Sequence, residues 1–256
     1  MPSLSVTVIT KNEAHNIEAC LRSVAFADEV IVLDSGSTDA TVELAVSMGA
    51  KVSERLDWEG FGIQKNRALG AAAGEWILSI DTDERVTPAL AQEIQAALAH
   101  ADASRQTVAF EIPRMTQFCG KWIRHCGWTP DDVLRLFRRG EACFSDDRVH
   151  EKVVLTPPGI KIVRLKNPLL HYSYPTPDHY WRKLRHYSQE WAHQRHVRGQ
   201  TATMTRAALA AVVAFLRSYV LRLGFLDGAM GFAVCTMQAQ AAFGKYFELY
   251  CLSRKK

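Results

Sequence analysis

Short apolar segments alternate with segments of helical periodicity through the first part of the chain, and this alternation constrains the fold most. Leu4–Thr10 and Glu29–Leu33 are β-branched and almost continuously apolar, as strands buried on both faces of a sheet are. Trp76–Ile80 repeats the pattern, and Lys51–Val52 suggests another short strand. Because helical patterns lie between these segments, we predict a mostly parallel sheet with right-handed crossovers.

The intervening segments have the features of surface helices. The segment between the first two predicted strands places apolar residues, beginning with Ile17, on one helical face. We expect Ser37 or Thr38 to cap the second, and Gln64–Ala73 is helical by propensity. Pro88 opens a further helix, since proline is tolerated in a first turn.

The second half of the chain changes character. Val108–Ile112, Val133–Phe137 and Lys152–Leu155 are predicted strands separated by Gly, Pro and charged turns, which indicates a mixed edge to the sheet. Beyond residue 174 the pattern becomes helical. We therefore expect an α/β domain over residues 1–174, with helices flanking a mixed, mostly parallel Rossmann-like sheet, and a helical extension over residues 175–256.

Composition limits the functional classes. With 256 residues, 48% hydrophobic and 23% charged, the chain has the balance of a globular protein and not of a disordered one. A formal net charge of +4 is too small by itself to indicate nucleic-acid binding. The six cysteines form no C-x-x-C pair, and no signal-peptide pattern is visible at the N-terminus, so we expect a cytoplasmic protein with reduced thiols.

Acidic and amide side chains follow three of the predicted strands. Asn12 and Glu13 follow the first, Asp34 the second, and Asp81 and Asp83 the fourth. Ligands of open α/β sheets bind at the carboxyl ends of the strands, where these residues would meet. An Asp-x-Asp sequence there suits Mg²⁺ or Mn²⁺, which can neutralise a departing diphosphate.

Each of these aspartates taken singly is more often a helix cap than a catalytic group. Their joint placement after successive buried strands favours a ligand site. The chain contains neither G-x-G-x-x-G nor G-x-x-x-x-G-K, which disfavours dinucleotide and Walker-type phosphate binding.

The segments VTVITKNEAHNIEACLRSV, VIVLDSGSTDAT and GEWILSIDTDERV, in this order, resemble the inverting family 2 glycosyltransferases, which have the GT-A fold. The segments QKNRALGAAAGEW, DDVLRLFRR, DDRVHEKV, HYSY and GFLDGAMGF extend the likeness over nearly the whole chain. The fuller pattern is similar to the β-1,4-glucosyltransferases that build the lipopolysaccharide core. The resemblance implies transfer of a hexose, glucose in that group, from a UDP-sugar to an inner-core heptose.

The same resemblance assigns the donor site. It implies that Asp34 contacts uracil or ribose, that Asp81 lies near the ribose and that Asp83 ligates the metal, Mg²⁺ or Mn²⁺. The residues it places in the nucleotide-sugar pocket are Thr10, Asn12, Glu13, Asp34, Lys65, Arg67 and Asp81. For Lys65 and Arg67, a solvated helix face is an equally good interpretation.

An inverting transfer needs a base that takes the proton of the acceptor hydroxyl. We assign this role to Glu151, with Asp146, Asp147 and His150 as rivals, because the Glu-Asp pair that the family commonly carries is missing here.

Three residues that precede the candidate base are expected to contact the acceptor: Trp128, Arg135 and Arg138. Arginine pairs with phosphate through two hydrogen bonds, so the two arginines suit an anionic acceptor. Alternatively, one of them is a structural ion-pair partner of Asp131 or Asp132.

The C-terminal part suggests contact with a membrane or a second subunit. Tyr180, Leu184, Tyr187 and Trp191 form an aromatic stripe on a basic helix, which lies on an anionic membrane or packs on the catalytic domain. Ala207–Leu216 is apolar but too short to span a bilayer. Two helices joined at residues 224–228 would form a monotopic hairpin or a homo-oligomer interface. We expect peripheral attachment to the cytoplasmic face of the inner membrane.

Other functions remain open at this level. The acceptor could be another polysaccharide or an undecaprenyl-linked sugar. A nucleic-acid-binding module is the alternative from another class, but the basic helix lacks a helix-turn-helix or zinc pattern, so we expect no nucleic-acid partner.

Overall fold

A computed structural model describes residues 2–104, 108–145, 151–156 and 158–254. By backbone contacts the chain forms two compact units. The first comprises Met1–Arg114 and Asp131–His171, and the second comprises Met115–Pro130 and Tyr172–Lys256. The second unit therefore begins close to the expected boundary, but it also includes an internal segment that the sequence patterns did not separate from the first.

Twelve strands and seven α-helices are present in the described residues. The strands are β1 (Leu4–Thr10), β2 (Glu29–Asp34), β3 (Lys51–Glu54), β4 (Trp76–Asp81), β5 (Glu84–Val86), β6 (Val108–Phe118), β7 (Lys121–Trp122), β8 (Asp131–Arg138), β9 (Ala142–Phe144), β10 (Val153–Leu155), β11 (Lys161–Arg164) and β12 (Leu169–Tyr174). The helices are α1 (Ala14–Ser23), α2 (Thr41–Ser47), α3 (Phe61–Gly70), α4 (Pro88–Ala103), α5 (Pro177–Val197), α6 (Met204–Leu216) and α7 (Gly228–Leu252). A π-helical turn, Arg217–Leu221, extends α6, and a 3-10 turn, Gly224–Asp227, precedes α7.

The main sheet has the expected mixed topology. Its strand order is β3-β2-β1-β4-β8-β6-β12-β5, with β7 and β11 also paired to β6. The first four strands in this order run parallel, whereas β8 is antiparallel to both of its neighbours. Thr10 lies beside Asp34, and Ile9 lies beside Asp81, so the carboxyl ends of β1, β2 and β4 meet at one edge.

Helices cover both faces of these strands. Trp76, Leu78 and Ile80 of β4 are buried on one face in a core that includes α1 and α4 residues such as Ile17 and Ile94. The intervening residue of β4, Ile77, is buried on the other face with residues of α3 and β9. This alternation fits strands buried on both sides, as their almost continuous apolar sequence predicted.

Two helix starts differ from the prediction. The residue that caps α2 is Ala40, not Ser37 or Thr38, since those hydroxyl residues bond to the neighbouring loop instead. Helix α3 begins at Phe61, three residues early, after Gly60 adopts a φ of 121° that favours glycine.

The second unit contains α5, α6 and α7. Most of the aromatic stripe of α5 faces inward: Tyr180 is buried among Phe118, Trp128 and Tyr174, and Trp191 packs on Tyr246 at 5.0 Å. Tyr187 is the exposed member of the stripe. This agrees with the interpretation of α5 as a packed helix.

Candidate active site

Two loops at the carboxyl edge of the sheet are bonded to each other. The backbone N–H of Asn12 donates to Ser37 Oγ at 2.8 Å, and Asn12 Oδ1 accepts from the Thr38 N–H at 2.8 Å. The N–H of Glu13 donates to Thr41 Oγ1, also at 2.8 Å. Asn12 has a φ of 55°, a left-handed conformation that asparagine tolerates better than most residues. The loops after β1 and β2 therefore form a single braced surface.

Asp34 has a structural role in this surface. Its Oδ2 accepts from the N–H groups of Gly36 and Ser37 at 2.9 and 2.7 Å, and its Oδ1 accepts from Ser37 Oγ at 2.5 Å. The residue is fully buried. Both oxygens close the turn after β2. The expected contact between Asp34 and a base or ribose stays a prediction. Thr10, beside it, has a buried Oγ1 without a hydrogen-bond partner among the described residues.

Lys65 joins two of the predicted site residues. Its Nζ lies 2.9 Å from Asp81 Oδ1 and 2.9 Å from Glu151 Oε1, and it is buried over the ring of Phe144. The interpretation of Lys65 as a solvated residue is therefore wrong. The expected donor-side aspartate and the expected base share one ammonium group, although Glu151 is 86 residues from Lys65 in sequence.

Helix α3 also holds the hairpin that carries Glu151. Asn66 Nδ2 donates to the Phe144 carbonyl at 2.8 Å, and Asn66 Oδ1 accepts from the Phe144 N–H at 2.7 Å. Strands β9 and β10 pair beyond that point, and the N–H of Ser145 donates to the carbonyl of Lys152 at 2.8 Å. Glu151 precedes Lys152, so it lies next to the last backbone bond between the two strands, on the side of the segment that connects them.

Gly62 permits this close approach. A Cβ at Gly62 would lie 2.0 Å from the carbonyl oxygen of Ser145, far inside contact distance, and 3.5 Å from Cβ of Glu151. Gly62 and Lys65 are one helical turn apart, so they share the face of α3 that meets the hairpin.

Behind Asp81 lies a buried chain of ion pairs. Arg135 contacts Asp81 Oδ2 at 2.6 Å and Glu84 Oε1 at 3.0 Å. Arg114 contacts the same Glu84 oxygen at 3.2 Å and Asp131 at 2.7 Å. Glu84 Oε2 accepts from the Asp81 N–H at 2.9 Å. Among the described residues, the ion-pair partners of Arg135 are thus Asp81 and Glu84, not an aspartate of β8, and Arg135 orients Asp81 from the protein side.

The charges of this chain determine the ionisation of Asp81. Burial alone would raise its pKa, but the cations of Arg135 and Lys65 hold the pKa well below its usual range. Burial alone would lower the pKa of Arg135, but Asp81 and Glu84 raise it. Asp81 is therefore an anion across the physiological pH range and Arg135 a permanent cation.

Asp83 pairs with His171, the third residue of β12. The distance between Asp83 Oδ2 and His171 Nε2 is 3.2 Å, and both side chains are mostly buried. Two adjacent ligands held about 2.1 Å from an octahedral ion lie about 3 Å apart, so this pair fits two neighbouring positions around one divalent cation. No group of three His, Cys, Asp or Glu residues able to hold a metal occurs within the described ranges.

Two predicted arginines lie outside this cluster. Arg67 bonds to Asp57 at 2.7 Å and to Glu59, both in the loop before α3. Arg138 lies over the ring of Trp76, at the amino end of β4, and 3.6 Å from Asp102. Since Asp81 ends the same strand, Arg138 is at the wrong end of β4 for a site at the carboxyl edge.

The remaining predicted residues lie elsewhere. Trp128 belongs to the second unit, where it packs against Phe118, Tyr174 and Tyr180. The rival bases Asp146, Asp147 and His150 are outside the described residues.

Three residues of the candidate site were not predicted: Glu84 and Arg114 in the chain of ion pairs around Asp81, and His171 beside Asp83. Glu84 directly follows the Asp-x-Asp sequence, where an acidic residue has no distinctive signal. His171 stands in the HYSY segment of the family resemblance, which is the signal that would have identified it.

Comparison with known proteins identifies the family of this chain. The family model "Glycosyl transferase family 2" matches residues 5–136. An uncharacterised glycosyltransferase of Rickettsia bellii is 32% identical over 98% of this chain and 87% of the relative. The lipopolysaccharide core biosynthesis glycosyltransferase LpsC of Rhizobium meliloti is 29% identical over 96% of this chain and 92% of its own length.

Among solved structures, Staphylococcus aureus TarS is similar over 98% of this chain and 55% of that chain, with 17% identity and a TM-score of 0.48. At that similarity it carries no inference about donor or acceptor. The family match covers β1 to β6 and most of β8, with Lys65, Asp81 and Asp83, and it ends before Glu151 and His171. The chain therefore belongs to glycosyl transferase family 2 and is a glycosyltransferase with the GT-A fold.

Proposed function

We propose that this glycosyltransferase moves a hexose, glucose by family resemblance, from a UDP-sugar to a heptose of the lipopolysaccharide inner core, with inversion at the anomeric carbon. One observation carries the proposal: Asp81 and Glu151, from elements far apart in sequence, share the ammonium group of Lys65 beside the carboxyl edge of the sheet. The carboxylate proposed for the donor side, Asp81, and the proposed base, Glu151, are therefore connected through Lys65; we call these three residues the Lys65 cluster.

The donor side of the cluster suits a nucleoside diphosphate. Asp83 and His171 would hold the divalent cation, and a mixed oxygen and nitrogen donor set suits Mn²⁺ better than Mg²⁺, which prefers oxygen ligands alone. When bound, the cation supplies charge neutralisation for the leaving diphosphate. The ammonium group of Lys65 lies beside Asp81 and would add a further positive charge on that side.

Glu151 is the proposed base. Its carboxylate oxygen Oε1 accepts a hydrogen bond from Lys65, which fixes the direction of the side chain. Fixed in this way, it would take the proton of the acceptor hydroxyl as the hydroxyl oxygen bonds to the anomeric carbon and the bond to the diphosphate breaks. The position of Glu151 on an element separate from the strands that carry Asp81 and Asp83 supports this assignment.

The acceptor assignment is supported by LpsC, a core biosynthesis enzyme whose similarity extends over nearly the full length of both chains. Neither Arg135 nor Arg138 supports it, because both arginines are committed to other contacts.

A donor and acceptor panel tests the proposal. The purified protein is incubated with labelled UDP-glucose, UDP-galactose, UDP-N-acetylglucosamine and GDP-mannose, each with rough-type lipopolysaccharide that ends in heptose or lacks it. We expect label only with a UDP-hexose and only on heptose-bearing acceptor, with a β-linkage by NMR. Transfer to an undecaprenyl-linked sugar but not to lipopolysaccharide, or an α-linked product, would contradict it.

A further inference from the structure

Helix α6 carries its large apolar side chains on the outside. The two residues buried along α6 and its π-helical extension are small, Ala207 and Ser218. The exposed side of the same helix carries leucines and valines at helical spacing, namely Leu209, Val212, Val213, Leu216 and Val220. A helix of a soluble protein places such residues on its buried face, so the arrangement of α6 is the opposite of the usual one.

The turn after α6 extends the same exposed apolar character. The exposed residues there are Leu221, Leu223, Phe225 and Leu226, and Phe232 of α7 is exposed as well. We call this set, together with the exposed residues of α6, the α6 apolar surface. Monomeric soluble proteins rarely expose so many large apolar side chains together, so the surface indicates an interaction site.

Helices α6 and α7 also enclose an apolar groove. Its volume is about 510 Å³, and its lining is almost entirely apolar. The lining residues are Ala211, Val212, Phe215, Leu216, Thr236, Ala239, Gln240 and Phe243. Two of them, Val212 and Leu216, also belong to the α6 apolar surface, so groove and surface are continuous.

Charge identifies what covers this surface. The second unit carries 14 Lys and Arg residues against 4 Asp and Glu, a net charge of +10, whereas the first unit carries 17 against 23, a net charge of −6. Between Met204 and Leu226 there are three arginines, Arg206, Arg217 and Arg222, and no acidic residue. A second copy would bring the same positive charge to the surface, whereas an anionic bilayer brings the opposite charge.

The length of the helix leaves a choice between lying on a bilayer and crossing it. Met204–Leu221 is, by length and composition alone, a candidate membrane span, and 11% of it is buried, so it is no core helix. Arg206 and Arg217 lie eleven residues apart, and Arg217 would have to enter the hydrocarbon if the helix crossed. Arginines at both ends of an exposed apolar face instead suit a helix in the plane of the interface, with the charged heads in the headgroup layer.

We infer that the α6 apolar surface binds in the plane of an anionic lipid bilayer, which would keep the enzyme where lipid-linked acceptors are presented. The attachment site is α6 and the turn after it, not the aromatic stripe of α5, whose Tyr180 is buried. This inference concerns a surface separate from the Lys65 cluster, so it stands whether or not the proposed acceptor is correct.

Flotation with vesicles tests the inference on the full-length protein. Vesicles of phosphatidylcholine are prepared with and without phosphatidylglycerol, and binding is measured at low and high salt. We expect binding to the phosphatidylglycerol vesicles that weakens with salt and is released by alkaline carbonate, as for a peripheral protein. Val212→Glu is expected to reduce the bound fraction about tenfold, because it places a charge in the apolar contact.

The matched control is Val46→Glu, since Val46 and Val212 have exposed fractions of 56% and 55% and Val46 lies in the first unit. Val46→Glu should bind like the wild type. Binding unchanged by Val212→Glu, resistance to carbonate, or a soluble dimer that Val212→Glu dissociates would each overturn the inference. Hydrolysis of the sugar donor in the absence of acceptor, measured on the same variants, should stay unchanged, which separates failure of attachment from failure of the proposed activity.

Discussion

At the scale of single residues, Lys65 is the centre of the site. Its ammonium group lies 2.9 Å from carboxylates of Asp81 and Glu151, and Arg135 contacts the other oxygen of Asp81 at 2.6 Å. Asp81 is thus held by a cation on each carboxylate oxygen. Breaking a buried pair by removing one partner costs about 3–5 kcal/mol, so these contacts constrain one another.

Glu151→Gln separates a catalytic from a structural role for this carboxylate. If Glu151 is the base, transfer should fall by about 10²–10⁴-fold, because the amide cannot accept the proton. UDP-sugar binding, measured by calorimetry, should stay close to that of the wild type, since glutamine keeps an oxygen that accepts from Lys65. Glu43→Gln, an exposed carboxylate of α2, is the control and should change neither quantity. Loss of binding together with transfer would identify Glu151 as a structural partner of Lys65.

The sequence predicted which residues end the strands but not which of them pair. Asp81 and Asp83 follow from the apolar strand before them, because a buried strand has a recognisable end. Arg135 contacts Asp81 across 54 residues and Lys65 contacts Glu151 across 86, and no local pattern encodes such partners. Asp34 was assigned to the donor by its place after β2 and by family resemblance, and no local pattern predicted that its oxygens also accept from the backbone of its own turn.

At the scale of elements, helix α3 connects the donor edge to the hairpin of Glu151. Asn66 clamps Phe144 of β9 with two hydrogen bonds, and Gly62 allows the hairpin backbone to touch the helix. The fixed position of Glu151 therefore depends on a packing contact that contains no catalytic group.

Gly62→Ala should disturb the site without removing any polar group. The added Cβ would meet the Ser145 carbonyl oxygen at 2.0 Å, so helix and hairpin must separate, at a cost of about 1–3 kcal/mol in unfolding free energy. Transfer should fall as well, because Glu151 moves away from Lys65. Gly70→Ala is the matched control, since it lies in the same helix with nothing within 4 Å of its Cβ. Chemical denaturation and transfer assays measure both effects; equal behaviour of the two variants would show that the contact is unimportant.

Glu29 connects β2 to the neighbouring strands β1 and β3. The carboxylate contacts Lys51 of β3 at 2.6 Å and accepts from Ser5 Oγ and the Ala73 N–H. Burial alone would raise the pKa of Glu29, but these hydrogen bonds lower it from 4.5 to about 2. A carboxyl group with a depressed pKa stabilises the fold above its unfolded-state pKa, and that contribution is lost as the pH falls through the folded-state pKa.

Glu29→Gln should therefore lower stability by about 1–2 kcal/mol at pH 7, allowing for screening of the exposed Lys51. The difference between wild type and variant should shrink as the pH falls from 4.5 towards 2. Urea denaturation at a series of pH values measures it. A difference that is constant with pH would show that Glu29 contributes through packing and not through its charge.

Elements were predicted better than their ends. The strands β1, β2 and β4 and the helix from Pro88 appear as expected, because their apolar periods are long and uninterrupted. The prediction that Ser37 or Thr38 caps α2 was wrong, because both residues bond to Asn12 of another loop. Local propensity does not predict such a contact. The inclusion of Met115–Pro130 in the second unit depends on tertiary packing of Phe118 and Trp128 with Tyr180.

At the scale of the whole molecule, opposite charges are divided between the two units. The acidic first unit carries the Lys65 cluster, and the basic second unit carries the α6 apolar surface. The proposed metal-dependent chemistry and the inferred attachment to a bilayer would therefore use parts of the chain with opposite charge. A total charge of +4 conceals the asymmetry, which becomes visible only once the units are known.

The central proposal is that Asp83 and His171 hold a divalent cation that binds the leaving diphosphate. Calorimetric titration with UDP, in the presence of Mn²⁺ or of EDTA, tests this proposal. The proteins compared are the wild type, Asp83→Asn and His171→Ala. His100→Ala is the control, because His100 is an exposed histidine of α4. We predict that Mn²⁺ strengthens UDP binding to the wild type and to His100→Ala. In each site variant, we expect the increase in UDP affinity caused by Mn²⁺ to be smaller by about tenfold or more. Unchanged Mn²⁺-dependent binding of UDP to folded Asp83→Asn and His171→Ala would contradict the account.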